Sequence, residues 1–140
     1  MRIAVIDGQG GGIGKRIVES IRANLSNEIE VIALATNALA AAQMLKAGAN
    51  EGASGENAII YNVARVDVIV GSIAILIPNS MLGEMTTRMV EAISSSEAIK
   101  VLIPINRLNI HVAGVLDEPL PHQIDALVEK LKELIKCQKG

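Results

Sequence analysis

Phenylalanine and tryptophan are absent from this 140-residue chain, and Tyr61 is its one aromatic residue. Single-stranded nucleic acid is gripped largely by stacking bases on aromatic faces, so that mode of binding is closed. Basic clusters are lacking too: thirteen Lys and Arg stand against fifteen Asp and Glu, a net charge of −2, which leaves no electrostatic footprint for a nucleic-acid backbone. The lone cysteine, Cys137, has no partner for an internal disulfide, and no charged-then-apolar leader or long apolar span opens the chain. A cytoplasmic protein without a membrane partner is the expectation. His111 and His122 lie eleven positions apart, outside any short helical ligand spacing, so no metal site is expected. No G-x-S-x-G elbow occurs either.

What remains is aliphatic. Half of the residues are hydrophobic, and without Phe or Trp they must build the core from Ile, Val, Leu, Met and Ala. A chain of this length fits one domain with one core, residues 1–140.

The most informative segment is Ile3-Ala4-Val5-Ile6-Asp7-Gly8-Gln9-Gly10-Gly11-Gly12-Ile13-Gly14-Lys15, an apolar strand that enters five glycines and then a helix. Glycine lets the backbone approach a ligand closely, and free N–H groups at a helix start attract an anion. In G-x-G-x-x-G starting at Gly8, Ile13 takes the third glycine's place; the looser Gly8-x-x-x-Gly12-Ile13-Gly14 is met. That spacing resembles the cofactor loop of short-chain dehydrogenases, but Tyr61 is followed four residues on by Arg65, not by the lysine their catalysis needs. Against the Walker pattern, Gln9 replaces the first glycine and Arg16 the hydroxyl residue that would hold Mg²⁺, which argues against ATP hydrolysis. A tight strand-to-helix turn without a ligand is the plainer alternative.

Along the chain the pattern is βαβ. A helix after the loop places Ile13, Ile17, Ile21 and Leu25 on one face; strand 30–35 carries an unbroken apolar run, as in a parallel sheet covered on both sides. Asn37 is placed to cap a helix over 38–47 that Gly48 ends. Residues 48–55 leave room for a short edge strand, before a helix over 56–64 and a strand over 67–71. Ile73–Ile77 reads either as another strand or as an apolar loop over a pocket or a partner. Asn79 or Ser80 is placed to cap a helix bearing Met81, Met85 and Met89 at spacings of four. Strands over 100–105 and 110–115 follow, then a helix opened by Pro121 with Ile124, Leu127, Val128, Leu131 and Ile135 as its apolar stripe. This order predicts a three-layer α/β sandwich of Rossmann-like type around a mainly parallel sheet.

In such a sheet the ligand crevice lies at the strands' C-terminal ends. The residues delivered there are Gly8, Gln9, Gly10, Gly11, Gly12, Ile13 and Gly14 of the loop, Thr36 and Asn37, Ser72, Asn79, Ser80 and Asn106, with Arg107 beside them. Amides, hydroxyls and one guanidinium suit hydrogen bonding to a polar, anionic ligand better than covalent chemistry. At the end of the second strand, where an acid usually binds the adenosine ribose, Thr36-Asn37 stand instead; that weakens an NAD(P) assignment without removing it. Asp7 is open to three roles: capping the loop's N–H groups, helping to bind a cation, or acting as a base. Glu51, Glu56 and Glu84 are expected to be solvated and to serve helix dipoles.

The segments Ile6 to Lys15, Thr36-Asn37-Ala38-Leu39-Ala40, Leu45-Lys46-Ala47-Gly48-Ala49-Asn50-Glu51-Gly52, Gly55-Glu56-Asn57 and Asn79-Ser80-Met81-Leu82-Gly83-Glu84 resemble a short bacterial family known as domain of unknown function 3842. The resemblance implies a stand-alone Rossmann-like protein and brings no catalytic residue with it. The leading expectation is a homo-oligomeric module that binds a nucleotide, NAD(P) included, or another phosphorylated small molecule. A nicotinamide-dependent oxidoreductase and a ligand-free structural or regulatory oligomer are the alternatives.

Overall fold

The structure, a computed structural model, describes residues 1–139. Its sheet is built from β1 (Arg2–Asp7), β2 (Glu30–Ala35), β3 (Glu51–Ser54), β4 (Val68–Ser72) and β5 (Ile99–Ile103), all parallel, in the order β3-β2-β1-β4-β5. The helices are α1 (Gly12–Asn24), α2 (Ala38–Lys46), α3 (Glu56–Val63), α4 (Thr87–Ser95) and α5 (Leu120–Lys139). Side chains alternate across a strand. Ile3 and Val5 of β1 therefore join Val31 and Ala33 in one core with α1, α2 and α5, while Ala4 and Ile6 join Ile32 and Leu34 in another with α3 and α4. The expected three-layer sandwich is present, with its sheet covered on both faces.

Local chemistry explains the agreement. Asn37 Oδ1 accepts from the Ala40 N–H at 2.8 Å, capping α2 as read from the sequence. Ile17, Val18 and Ile21 are buried under α1, and Ile124, Leu127, Val128 and Leu131 under α5. The edge strand in 48–55 is β3, paired to β2 with Ala33 opposite Gly52.

Three readings need correction. Residues 110–115 are not a strand, and among the described residues β5 is an edge with β4 as its one neighbour. Pro104 has no N–H to extend the ladder, and Asn106 bends the chain: its Nδ2 donates to Pro104 O and Ile110 O, and its Oδ1 accepts from the Leu108 N–H. Ile110, Val112, Val115 and Leu116 are left exposed. Ile73–Leu76 forms one 3-10 turn, initiated where Ser72 Oγ accepts from the Ala74 N–H at 3.1 Å, with Ala74 and Ile75 buried. No helix starts at Asn79 or Ser80. The chain there makes a tight turn with Asn79, Met81 and Leu82 at φ of 64°, 58° and 56°, and α4 begins only after Thr86, whose Oγ1 accepts from the Met89 N–H. Met85 and Met89 still reach one core, from a turn and a helix instead of one helical face.

Leu34 is fully buried in the α3/α4 layer. Leu34→Ala is expected to lower unfolding stability by about 2–5 kcal/mol. Denaturant titration measures it, and a loss below about 1 kcal/mol would mean that this layer is not packed as described.

Candidate functional site

Sheet order reverses between β1 and β4, and a crevice opens where two neighbouring strands send their connections in opposite directions. A cavity of about 700 Å³ occupies it. Its floor is the loop from Asp7 to Ile13; its walls are Ser72 at the end of β4 and Ala74 past it, Ser80, Met81 and Leu82 of the tight turn, Ile105 to Leu108 past β5, and Leu120.

The loop is shaped by Asp7. This carboxylate, 8% exposed, accepts from the Gly8 N–H through Oδ1 at 2.8 Å and from the Gly14 N–H through Oδ2 at 2.6 Å, so it joins both ends of the glycine segment. Between them the Gly11 N–H donates to Gly8 O at 2.9 Å, closing a turn that needs φ of 74° at Gly11. A side chain at Gly11 would also strike the α2 backbone at Ala40, 2.8 Å from where its Cβ would stand. Among the described residues, the amides of Gly10 and Gly12 meet no acceptor, and a Cβ on either would point into open space.

Glu84 is the residue that sequence reasoning misplaced. Instead of being solvated, it binds across the loop's outer side: its Oε1 accepts from the Gln9 N–H at 2.9 Å, Thr36 Oγ1 at 2.5 Å and Asn37 Nδ2 at 2.8 Å. Asn37 Nδ2 also donates to Gln9 O. No local pattern announces this contact, because Glu84 lies 75 residues from Gln9 and 48 from Thr36. The turn that delivers it is strained. Non-glycine residues in the left-handed region cost on the order of 1–3 kcal/mol each and gather at functional sites, and Met81 and Leu82 are two of them.

Of the residues read from the sequence, Gly8, Gln9, Gly10, Gly11, Gly12, Ile13, Ser72, Ser80 and Asn106 line the cavity, and Arg107 joins them. Gly14 is buried behind the loop, where an added Cβ would meet Met44 Sδ at 2.5 Å. Thr36 and Asn37 are bound to Glu84, and Asn79 lies outside the lining. Several lining polar groups are already committed: Ser80 Oγ donates to Ala74 O at 2.6 Å, and Asn106 holds its own loop. The apolar wall of Met81, Leu82, Ile105, Leu108 and Leu120 was not read from the sequence, since it comes from three separate stretches. Among the described residues no three His, Cys, Asp or Glu side chains converge, and no helix is long and apolar enough to cross a membrane.

The two carboxylates are pulled in opposite directions. Burial pushes the Asp7 carboxyl above its ordinary 3.8, against the hydrogen bonds from Gly14 and Gly8 and with help from the charge of Glu84. The Thr36 hydroxyl holds Glu84 below its ordinary 4.5, outweighing the burial that opposes it, with the Gln9 and Asn37 hydrogen bonds adding to the effect.

The sequence profile of a family described as Domain of unknown function (DUF3842) matches residues 2–136. Among curated protein sequences, none matches the chain. A dodecameric FMN-dependent UbiX-like decarboxylase from Escherichia coli O157:H7 is similar in structure, with a TM-score of 0.46 and 11% identity over 97% of this chain and 94% of that one.

The opposite shifts give opposite pH dependences. Stability contributed by Glu84 is complete above pH 4.5 and is lost as pH falls toward its lowered folded-state value. For Asp7 it is complete below 3.8 and is lost as pH rises through the raised value. Denaturant unfolding of the wild type and Glu84→Gln from about pH 3 to about pH 7 is expected to show a gap that is widest near neutrality and closes in acid. A pH-independent gap would rule out this role for the carboxylate.

Proposed function

The chain belongs to the DUF3842 family, and we propose that it binds a nucleotide or another phosphorylated small molecule in the β1/β4 crevice. One observation carries this reading: the Gly10 and Gly12 amides stand without acceptors on the floor of a cavity that Arg107 also lines. Oriented N–H groups and a guanidinium stabilise a phosphate, and the amide of Gly12 opens the first turn of α1, where the helix dipole favours negative charge. The aliphatic wall supplies apolar surface for a ring, and about 700 Å³ is in the range of small-molecule sites. Asp7 fits the same ligand. It sits beneath the loop with both carboxylate oxygens taken by amides, Oδ1 by Gly8 and Oδ2 by Gly14.

A thermal-shift screen with NAD, NADP, FMN, ATP and inorganic phosphate tests the proposal. A probe present at about 100 times its dissociation constant should stabilise the fold by roughly 2.7 kcal/mol. Gly12→Val fills open space without a backbone clash, so it should fold normally and lose that stabilisation. Undiminished binding by the folded variant would remove the phosphate cradle. Arg107→Ala is expected to weaken binding and flatten its salt dependence, whereas Lys15, exposed and outside the wall, is expected to be neutral when changed to Ala.

The reading includes self-association. It rests on α2, apolar almost all round, whose Leu39 and Leu45 are left 61% and 41% exposed. Light scattering at micromolar concentration is expected to give a multiple of the 14.7 kDa chain mass. A monomer mass would remove this part of the reading.

A further inference from the structure

Glu84 brings to the end of β2 the negative charge that the sequence there lacks. In dinucleotide-binding sheets with the order 3-2-1-4-5, an acid just past the second strand accepts hydrogen bonds from the ribose hydroxyls. Here that place holds Thr36 and Asn37, neither of which carries a charge, and both donate to Glu84. We propose that Glu84 is the acceptor for a ribose 2′,3′-diol, so that the crevice takes a nucleotide with a free 2′-hydroxyl and rejects its 2′-phosphorylated counterpart. The inference rests on the reading of the crevice as a nucleotide site.

Three observations carry it. All three donors fall on Oε1, and among the described residues Oε2 has no donor and Glu84 has no cationic partner. A carboxylate fixed through one oxygen with the other free is oriented to accept from a hydroxyl. Glu84 is not itself part of the cavity lining but borders it: Gln9, whose amide it binds, lines the cavity, and so do Met81 and Leu82 of its own turn. Finally, the turn that carries Glu84 holds Met81 and Leu82 in left-handed backbone, strain of the kind that gathers at functional sites. Thr36 and Asn37 then act as positioning residues, holding the carboxylate instead of touching the ligand.

Calorimetric titration of the wild type with NAD and NADP reads the inference directly. NAD is expected to bind about ten- to hundredfold more tightly, the usual worth of a hydrogen bond to a charged group. E84Q keeps an oxygen for the three donors but loses the charge, and should bring the ratio close to one. Thr36→Val, nearly the same shape, should narrow it in part by freeing the carboxylate. Equal affinities in the wild type, or a folded E84Q that keeps the full preference, would overturn the inference. Should E84Q not fold, the wild-type ratio still decides. Binding of FMN or inorganic phosphate without NAD would overturn the ribose role and leave the phosphate cradle standing. Failure of every probe to bind would overturn both.

Discussion

The hydrogen bonds from the Gly8 and Gly14 amides to Asp7 set the geometry on which the crevice depends. Five glycines in seven residues have little conformational preference of their own, and ordering them costs more backbone entropy than ordering any other residue type. A buried carboxylate at the last position of β1 supplies the missing instruction, because two donors at opposite ends of the loop must meet the same side chain. The arrangement also divides the amides. Gly8 and Gly14 serve Asp7, Gly11 closes the turn and Gln9 serves Glu84, which leaves the Gly10 and Gly12 amides without acceptors among the described residues.

The same arrangement sets two acids to different tasks within one small region. Burial raises the pKa of Asp7 against the amides it accepts from, while Glu84 is surrounded by donors that lower its own. Both Asp7 oxygens are turned to the Gly8 and Gly14 amides within the loop, whereas among the described residues Glu84 holds its three donors on Oε1 alone.

How much was legible depends on how far apart the interacting residues lie. β2 reads directly from Val31-Ile32-Ala33-Leu34-Ala35, and α2 from Asn37 and Gly48, because apolar run, cap and stop are all contained within a few residues. The glycine loop and its place at the sheet's carboxyl end follow from equally local signals. The methionines at 81, 85 and 89 show where such signals fail. A spacing of four is necessary for a helical face and not sufficient, and here left-handed residues at 79, 81 and 82 break the helix before it forms. Residues 110–115 fail for a related reason: they carry strand-like residues, but Pro104 and Asn106 turn the chain away from the sheet edge.

The contact of Glu84 with Thr36 and Asn37 was the least legible feature, and its consequence reaches furthest. Read alone, the end of β2 lacks an acid and argues against a ribose. In the fold, the connection after β4 passes over that strand end and returns a carboxylate to it, at 2.5 Å from the Thr36 hydroxyl. A binding determinant is defined by the position of a charge and its donors, not by the strand that contributes it. The absence of a motif residue at its customary place in the chain is therefore evidence about connectivity first, and about ligand chemistry only after the tertiary contacts are known.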